Sequence, residues 1–157
     1  VGTDGTGGGK FDSADLLAHA IARAWPEGRA HRFVVLTGGE PLLQVDQALT
    51  AALHAQGFEV AVETNGTVAP PEGIDWLCVS PKAGSQTVVT RGQELKLVYP
   101  QAGLDPAQFE ALDFDHFALQ PMDGPLRERN TEAAVAYCQA HPLWRLSVQT
   151  HKWIGIR

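Results

Sequence analysis

The stretch RFVVLTGGEPLLQVDQAL, Arg32 to Leu49, decides how the chain is read. Phe33-Val34-Val35-Leu36 is a short, continuous apolar run, the pattern of a strand covered on both faces of a parallel sheet. It runs into Thr37-Gly38-Gly39-Glu40-Pro41 and then into helix-forming residues. Glycines at such a junction let a ligand approach the backbone without a Cβ in the way. Glu40, at the start of the following helix, can accept from an ammonium group; the plainer alternative is a tight strand-to-helix turn with a solvated carboxylate.

Outward from this junction, strands alternate with helices. A helix is predicted from Ser13, with Asp12 or Ser13 as cap and Leu16, Leu17, Ala20, Ile21 and Ala24 at helical spacing. Pro26 and Gly28 end it. A second helix is predicted from about Val45 to Gln56, closed by Gly57. Strands are predicted at Glu59–Glu63, Asp75–Val79, Leu95–Val98, His116–Leu119 and Trp144–Ser147. Pro106 opens a short helix, and Asn130 is expected to cap a helix over Thr131–His141. This alternation predicts α/β architecture with right-handed parallel units. Six strands are too few for an eight-fold barrel. The expectation is a partial (β/α) barrel or open sheet, mostly parallel and six-stranded, in a single domain over residues 1–157.

Ligands of parallel β/α folds sit at the carboxyl ends of the strands. Five predicted strand ends carry conspicuous polar clusters: Thr37–Pro41, Glu63-Thr64-Asn65-Gly66, Ser80-Pro81-Lys82, Gln120–Gly124 and Gln149–Lys152. Glu63 can bind a ribose hydroxyl or a substrate amine, or cap the Asn65-Gly66 turn. Lys82 is either an anion partner or a solvated loop lysine. Of six histidines, His151 is the candidate ligand contact, because it falls on this rim.

Bulk properties exclude several classes. The chain has 157 residues, 44% hydrophobic and 19% charged, which suits one soluble core. A net charge of -6 does not invite a nucleic-acid backbone. No apolar run approaches a membrane span, and no secretory segment opens the chain. Cys78 and Cys138 lie in apolar segments and are read as buried free thiols of an intracellular protein. There is no zinc-ligand spacing, no phosphate-loop or dinucleotide fingerprint and no Gly-x-Ser-x-Gly elbow. Gly5 to Gly9 has the glycine density of a phosphate cradle but follows no strand, so a flexible segment is expected. The chain opens with Val1 and its one methionine is Met122, so a natural start upstream of Val1 is expected.

The segments LTGGEPLLQ, ETNGT, VSPKAG, ELKLV, QPMDG and SVQTHKWIGI occur in this order and spacing over the whole chain. In these it resembles the 7-carboxy-7-deazaguanine synthase family of radical S-adenosylmethionine enzymes, which serve queuosine and 7-deazapurine biosynthesis. The Gly-Gly-Glu segment is common to radical S-adenosylmethionine proteins; QPMDG with QTHK is more specific. The resemblance implies a carbon–nitrogen lyase. A [4Fe-4S] cluster on three cysteines holds S-adenosylmethionine, and one electron releases a 5′-deoxyadenosyl radical. That radical takes the C6 hydrogen of 6-carboxy-5,6,7,8-tetrahydropterin. The ring then contracts with loss of ammonia, with Mg2+ assisting.

The resemblance further implies that Gly38, Gly39 and Glu40 line the methionine end of the cofactor. Glu63, Ser80 and Lys82 would lie by its ribose or the substrate, and Gln120 by the adenosyl group. Thr37, His151 and the terminal carboxylate of Arg157 would contact the pterin. It implies a cytoplasmic homodimer served by a flavodoxin-like electron donor, with no nucleic-acid or membrane partner. The sequence departs from the family in one respect: the three-cysteine loop is absent. That loop, the first strand and a magnesium-binding threonine are expected upstream of Val1. The chain is expected to be a C-terminal portion, inactive alone; an inactive nucleoside- or pterin-binding domain is the alternative, and an unrelated α/β binding domain a third.

Overall fold

A computed structural model describes residues 8–26 and 30–156. The first seven residues, including Gly5 and Gly7 of the opening glycine segment, lie outside the described residues, as do Gly28 and Arg157. The chain divides into two compact units. One comprises the residues up to Thr64 with Val68–Leu77; the other comprises Asn65–Thr67 with the residues from Cys78 onward.

In the first unit, α1 (Ala14–Ala24) starts where predicted: Ser13 Oγ accepts from the Leu16 N–H at 3.3 Å. The expected apolar stripe is corrected: Leu17, Ala20 and Ile21 are only half-buried and Leu16 is 54% exposed, while the buried residue of α1 is Ala18, outside that stripe. β1 (Phe33–Leu36) pairs in parallel with β2 (Glu59–Thr64), Phe33 opposite Glu59 and Leu36 opposite Val62. The expectation that β1 is covered on both faces is corrected. Phe33 and Val35, which alternate onto one face, are 42% and 45% exposed.

The helix expected from Val45 is also displaced. A 3-10 turn, Pro41–Leu43, comes first; α2 (Gln47–Ala55) begins only where Asp46 Oδ1 accepts from the Leu49 N–H at 2.9 Å. The core of this unit gathers Leu49, Leu53, Phe58, Val60 and Val62. Trp25 meets Phe58 edge-on at 5.6 Å between ring centroids. His54 Nε2 lies 2.8 Å from Asp75 Oδ2, and that oxygen also accepts from the Val60 N–H at 2.7 Å. Burial works to raise the Asp75 pKa, but these two hydrogen bonds and the nearby imidazole together hold it below the usual carboxylate range.

In the second unit, β3 (Trp76–Val79, its last two residues here), β4 (Arg91–Tyr99), β5 (Asp113–Pro121) and β6 (Trp144–Leu146) pair in parallel in chain order. β4 and β5 are nine residues each, longer than their apolar centres suggest. Their ladder runs from Arg91 opposite Asp113 to Tyr99 opposite Pro121, because backbone pairing continues past the point where side chains turn polar. α3 (Arg127–Ala140) packs on β5 and β6 and starts earlier than predicted. Asn130 is not its cap. It sits inside the helix, buried, and its Nδ2 donates to the Met122 carbonyl at 2.8 Å.

Leu95, Leu97, Leu119 and Trp144 are fully buried in this unit. Phe114, Phe117, Trp144, Tyr137 and Tyr99 form a chain of ring contacts at 5.4–6.4 Å. Trp144 Nε1 donates to Glu110 Oε1 at 2.9 Å, which satisfies the indole N–H in the core. A short helix absent from the sequence reading, α4 (Thr150–Ile154), follows β6 and ends on Gly155, whose φ is 71°. Among the described residues the protein is thus α/β with six strands, parallel in every pairing above.

Both cysteines are free. Cys78 is buried, but Cys138 is half-buried, which corrects the expectation for the second thiol. Burial raises the Cys138 pKa. No described helix is long and apolar enough to cross a membrane.

Candidate functional site

The polar clusters do follow strand carboxyl ends within each unit. In the first unit, β1 and β2 are parallel, so Thr37–Glu40 and Glu63-Thr64 leave the same edge. Gly38 and Gly39 have φ of 91° and 60°, conformations in which a side chain would be strained. That backbone delivers Glu40, which is half-buried, as the cap of the Pro41–Leu43 turn. Its Oε1 accepts from the Leu42 N–H at 3.0 Å and from Thr64 Oγ1 at 2.7 Å. Across the same edge, Thr37 Oγ1 donates to Glu63 Oε2 at 3.5 Å, and both residues are exposed. Thr37, Gly38, Gly39, Glu40 and Glu63 therefore form one cluster, with Thr64 as a member that sequence reasoning passed over.

In the second unit, Ser80 and Lys82 follow β3, Gln120 lies near the end of β5, and His151 lies in α4 beyond β6. These strands are parallel, so the residues leave one edge of their sheet. Lys82 Nζ donates to Ser80 Oγ at 2.9 Å. Gln120 is half-buried opposite Val98. His151 is exposed, and its carbonyl accepts from the Ile156 N–H at 3.0 Å.

Lys152 pairs with Asp123, joining α4 to the loop after β5. The hydrogen bond from that ammonium is the main cause holding the Asp123 carboxyl below its ordinary range. Between these segments lies a cavity of about 20 Å³ bounded by Asp123, Arg127, Gln149 and Lys152, room for about one water. Sequence reasoning also missed the Asp123–Lys152 pair. The partners stand 29 positions apart with no periodic signal linking them, and α4 itself was unforeseen.

Among the described residues, no three His, Cys, Asp or Glu side chains could hold a metal ion. The two cysteines of the sequence lie in β3 and α3 and form no three-thiolate set. A [4Fe-4S] cluster therefore finds no ligand set in the residues described.

The chain is 65% identical to the 7-carboxy-7-deazaguanine synthase of Bordetella pertussis over 156 residues, covering 99% of this chain and 74% of that protein. It is 64% identical to the synthase of the same name from Bradyrhizobium diazoefficiens, covering all of this chain and 75% of that one. The chain belongs to the 7-carboxy-7-deazaguanine synthase family. The resemblance in LTGGEPLLQ, QPMDG and QTHK thus extends to the whole sequence.

The structure is also similar to the crystal structure of QueE from Escherichia coli. The TM-score is 0.67 at 30% identity, with 87% of this chain and 63% of that chain covered. The chain spans about three quarters of its sequence relatives' length and less than two thirds of the solved structure. No protein-family model matches it.

Proposed function

We propose that the described edges bind S-adenosylmethionine and 6-carboxy-5,6,7,8-tetrahydropterin, as the C-terminal portion of a single-domain enzyme that contracts the pterin ring with loss of ammonia. The Glu40 carboxylate carries this reading. It is half-buried, held by two donors on one oxygen and delivered by two glycines at positive φ. A carboxylate fixed in this way fits the ammonium of an amino acid, and the glycine backbone lets the rest of that group lie close.

In a complete enzyme, S-adenosylmethionine would supply the 5′-deoxyadenosyl group that takes a hydrogen atom, once one electron from a cluster held by residues other than those described had cleaved it. The chain's own residues bind and orient. Glu40 accepts from the ammonium while Gly38 and Gly39 line the methionine end. Glu63, Ser80 and Lys82 serve the ribose or the substrate, and Gln120 the adenosyl group. Thr37 and His151 contact the pterin. Arg157, assigned the same role, lies outside the described residues. Mg2+, a homodimer, a flavodoxin-like electron donor and a cytoplasmic setting belong to the same reading.

The cluster does not fit the described residues, and the 157 residues alone are expected to run no radical chemistry. A second reading, an inactive nucleoside- or pterin-binding domain, draws on the same observation.

Anaerobic reconstitution followed by iron and sulfide analysis tests the first point. A stoichiometric [4Fe-4S] cluster on this chain would overturn it. Joining the chain to the N-terminal quarter of the Bordetella relative separates the two readings. Formation of 7-carboxy-7-deazaguanine by mass spectrometry supports the enzyme; a cluster-loaded fusion that binds both ligands without turnover supports the binding domain.

A further inference from the structure

On β2, Val60, Val62 and Thr64 share one face, and all three are buried, Thr64 at 3% exposure. A valine would fill the Thr64 position with the same shape and no buried hydroxyl to satisfy. What threonine adds there is one O–H, and that O–H points at Glu40 Oε1, 24 residues away, at 2.7 Å. The Leu42 N–H reaches the same oxygen at 3.0 Å. Leu42 lies two residues from Glu40 and comes with the local turn. Thr64 is the donor that ties the carboxylate to the sheet.

We propose that Thr64 is a positioning residue for ligand capture: its hydroxyl locks the Glu40 carboxylate in the orientation that receives an ammonium group. This rests on the reading of Glu40 as the ammonium acceptor of S-adenosylmethionine. Two donors on Oε1 hold that oxygen in place, and with it the orientation of the carboxylate. Without the hydroxyl, Glu40 keeps its charge but loses its tie from Thr64, and ligand binding must then supply that part of its ordering. Thr64 itself touches no ligand in this account and acts through Glu40.

The test pairs two readouts on the full chain. Binding of S-adenosylmethionine and, separately, of 5′-deoxyadenosine is measured by calorimetry. In Thr64→Val the affinity for 5′-deoxyadenosine should stay unchanged, because that ligand has no ammonium for Glu40 to receive. Cofactor affinity should fall about three- to tenfold, the scale of one such hydrogen bond. Thr64→Ser, which keeps the hydroxyl, should restore the cofactor affinity.

Equal losses for both ligands in Thr64→Val, or no loss of S-adenosylmethionine affinity where Glu40→Gln does lose it, overturn the proposal. A slowly exchanging Thr64 hydroxyl proton, with S-adenosylmethionine affinity unchanged in both Thr64→Val and Glu40→Gln, supports the positioning and overturns the ammonium reading instead. The unaltered chain gives a readout that needs no substitution. The Thr64 hydroxyl proton should be slow to exchange, and a freely exchanging one also overturns the proposal.

Discussion

Gly66, in the ETNGT segment, illustrates how a signature residue can be fixed by packing within its own unit. Its φ is 78°, and a Cβ built there would lie 2.7 Å from Val79 Cγ1 and 2.9 Å from Thr87 Cγ2. Val79 is fully buried and cannot swing aside. Gly66→Ala therefore incurs two costs. The left-handed backbone contributes about 1–2 kcal/mol for a residue with a Cβ. Overpacking against a fixed methyl adds about 1–3 kcal/mol. The sum, about 2–5 kcal/mol, corresponds to a fall in Tm of about 4–20 °C at this chain length.

Gly84 is the internal control. It lies in the same unit with the same φ of 78°, but nothing stands within 4 Å of its Cβ position. Gly84→Ala should lose only the backbone term, about 2–8 °C. Thermal unfolding by circular dichroism reads both. If Gly66→Ala unfolds no earlier than Gly84→Ala, the packing argument fails.

Other consequences can be checked alongside. Asp75 has its pKa held below the ordinary 3.8, so its contribution to stability is present above that value and is lost as pH falls through the lower folded value. Denaturant midpoints measured downward from pH 6 should fall less steeply in this range for Asp75→Asn than for the parent chain. Trp144→Phe removes the indole donor to Glu110 and leaves space among the rings, and should cost about 2–4 kcal/mol by urea unfolding. Asn130→Ala strands the Met122 carbonyl and should cost about 1–3 kcal/mol, with faster amide exchange in the loop after β5.

The order of strands and helices was legible because apolar runs such as Val60–Val62 and Leu95–Val98 mark buried backbone directly. Their ends were less so. β4 and β5 extend into Arg91, Gln93, Asp113 and Asp115, where pairing is held by backbone hydrogen bonds that leave no hydropathy trace. Asn130 had the local pattern of a cap, and a carbonyl contributed by the fold claimed its amide instead. The site was legible where charge and glycine cluster at a strand end, as at Gly38-Gly39-Glu40. Thr64 was not, because a hydroxyl that completes a buried row of valines is noticed only when its partner, 24 residues earlier, is seen beside it. Leu16 and the outward face of β1 were misread for a related reason: periodicity marks which residues are apolar, not whether another element covers them.

The central claim is that Glu40 receives the ammonium of the cofactor. Calorimetric titration of the chain and of Glu40→Gln with S-adenosylmethionine, and in parallel with 5′-deoxyadenosine, which has no ammonium, tests it most directly. The account predicts that Glu40→Gln weakens S-adenosylmethionine about ten- to a hundredfold, the worth of one charge-assisted hydrogen bond, and leaves 5′-deoxyadenosine unchanged. Equal losses for both ligands, or none for either, would contradict it.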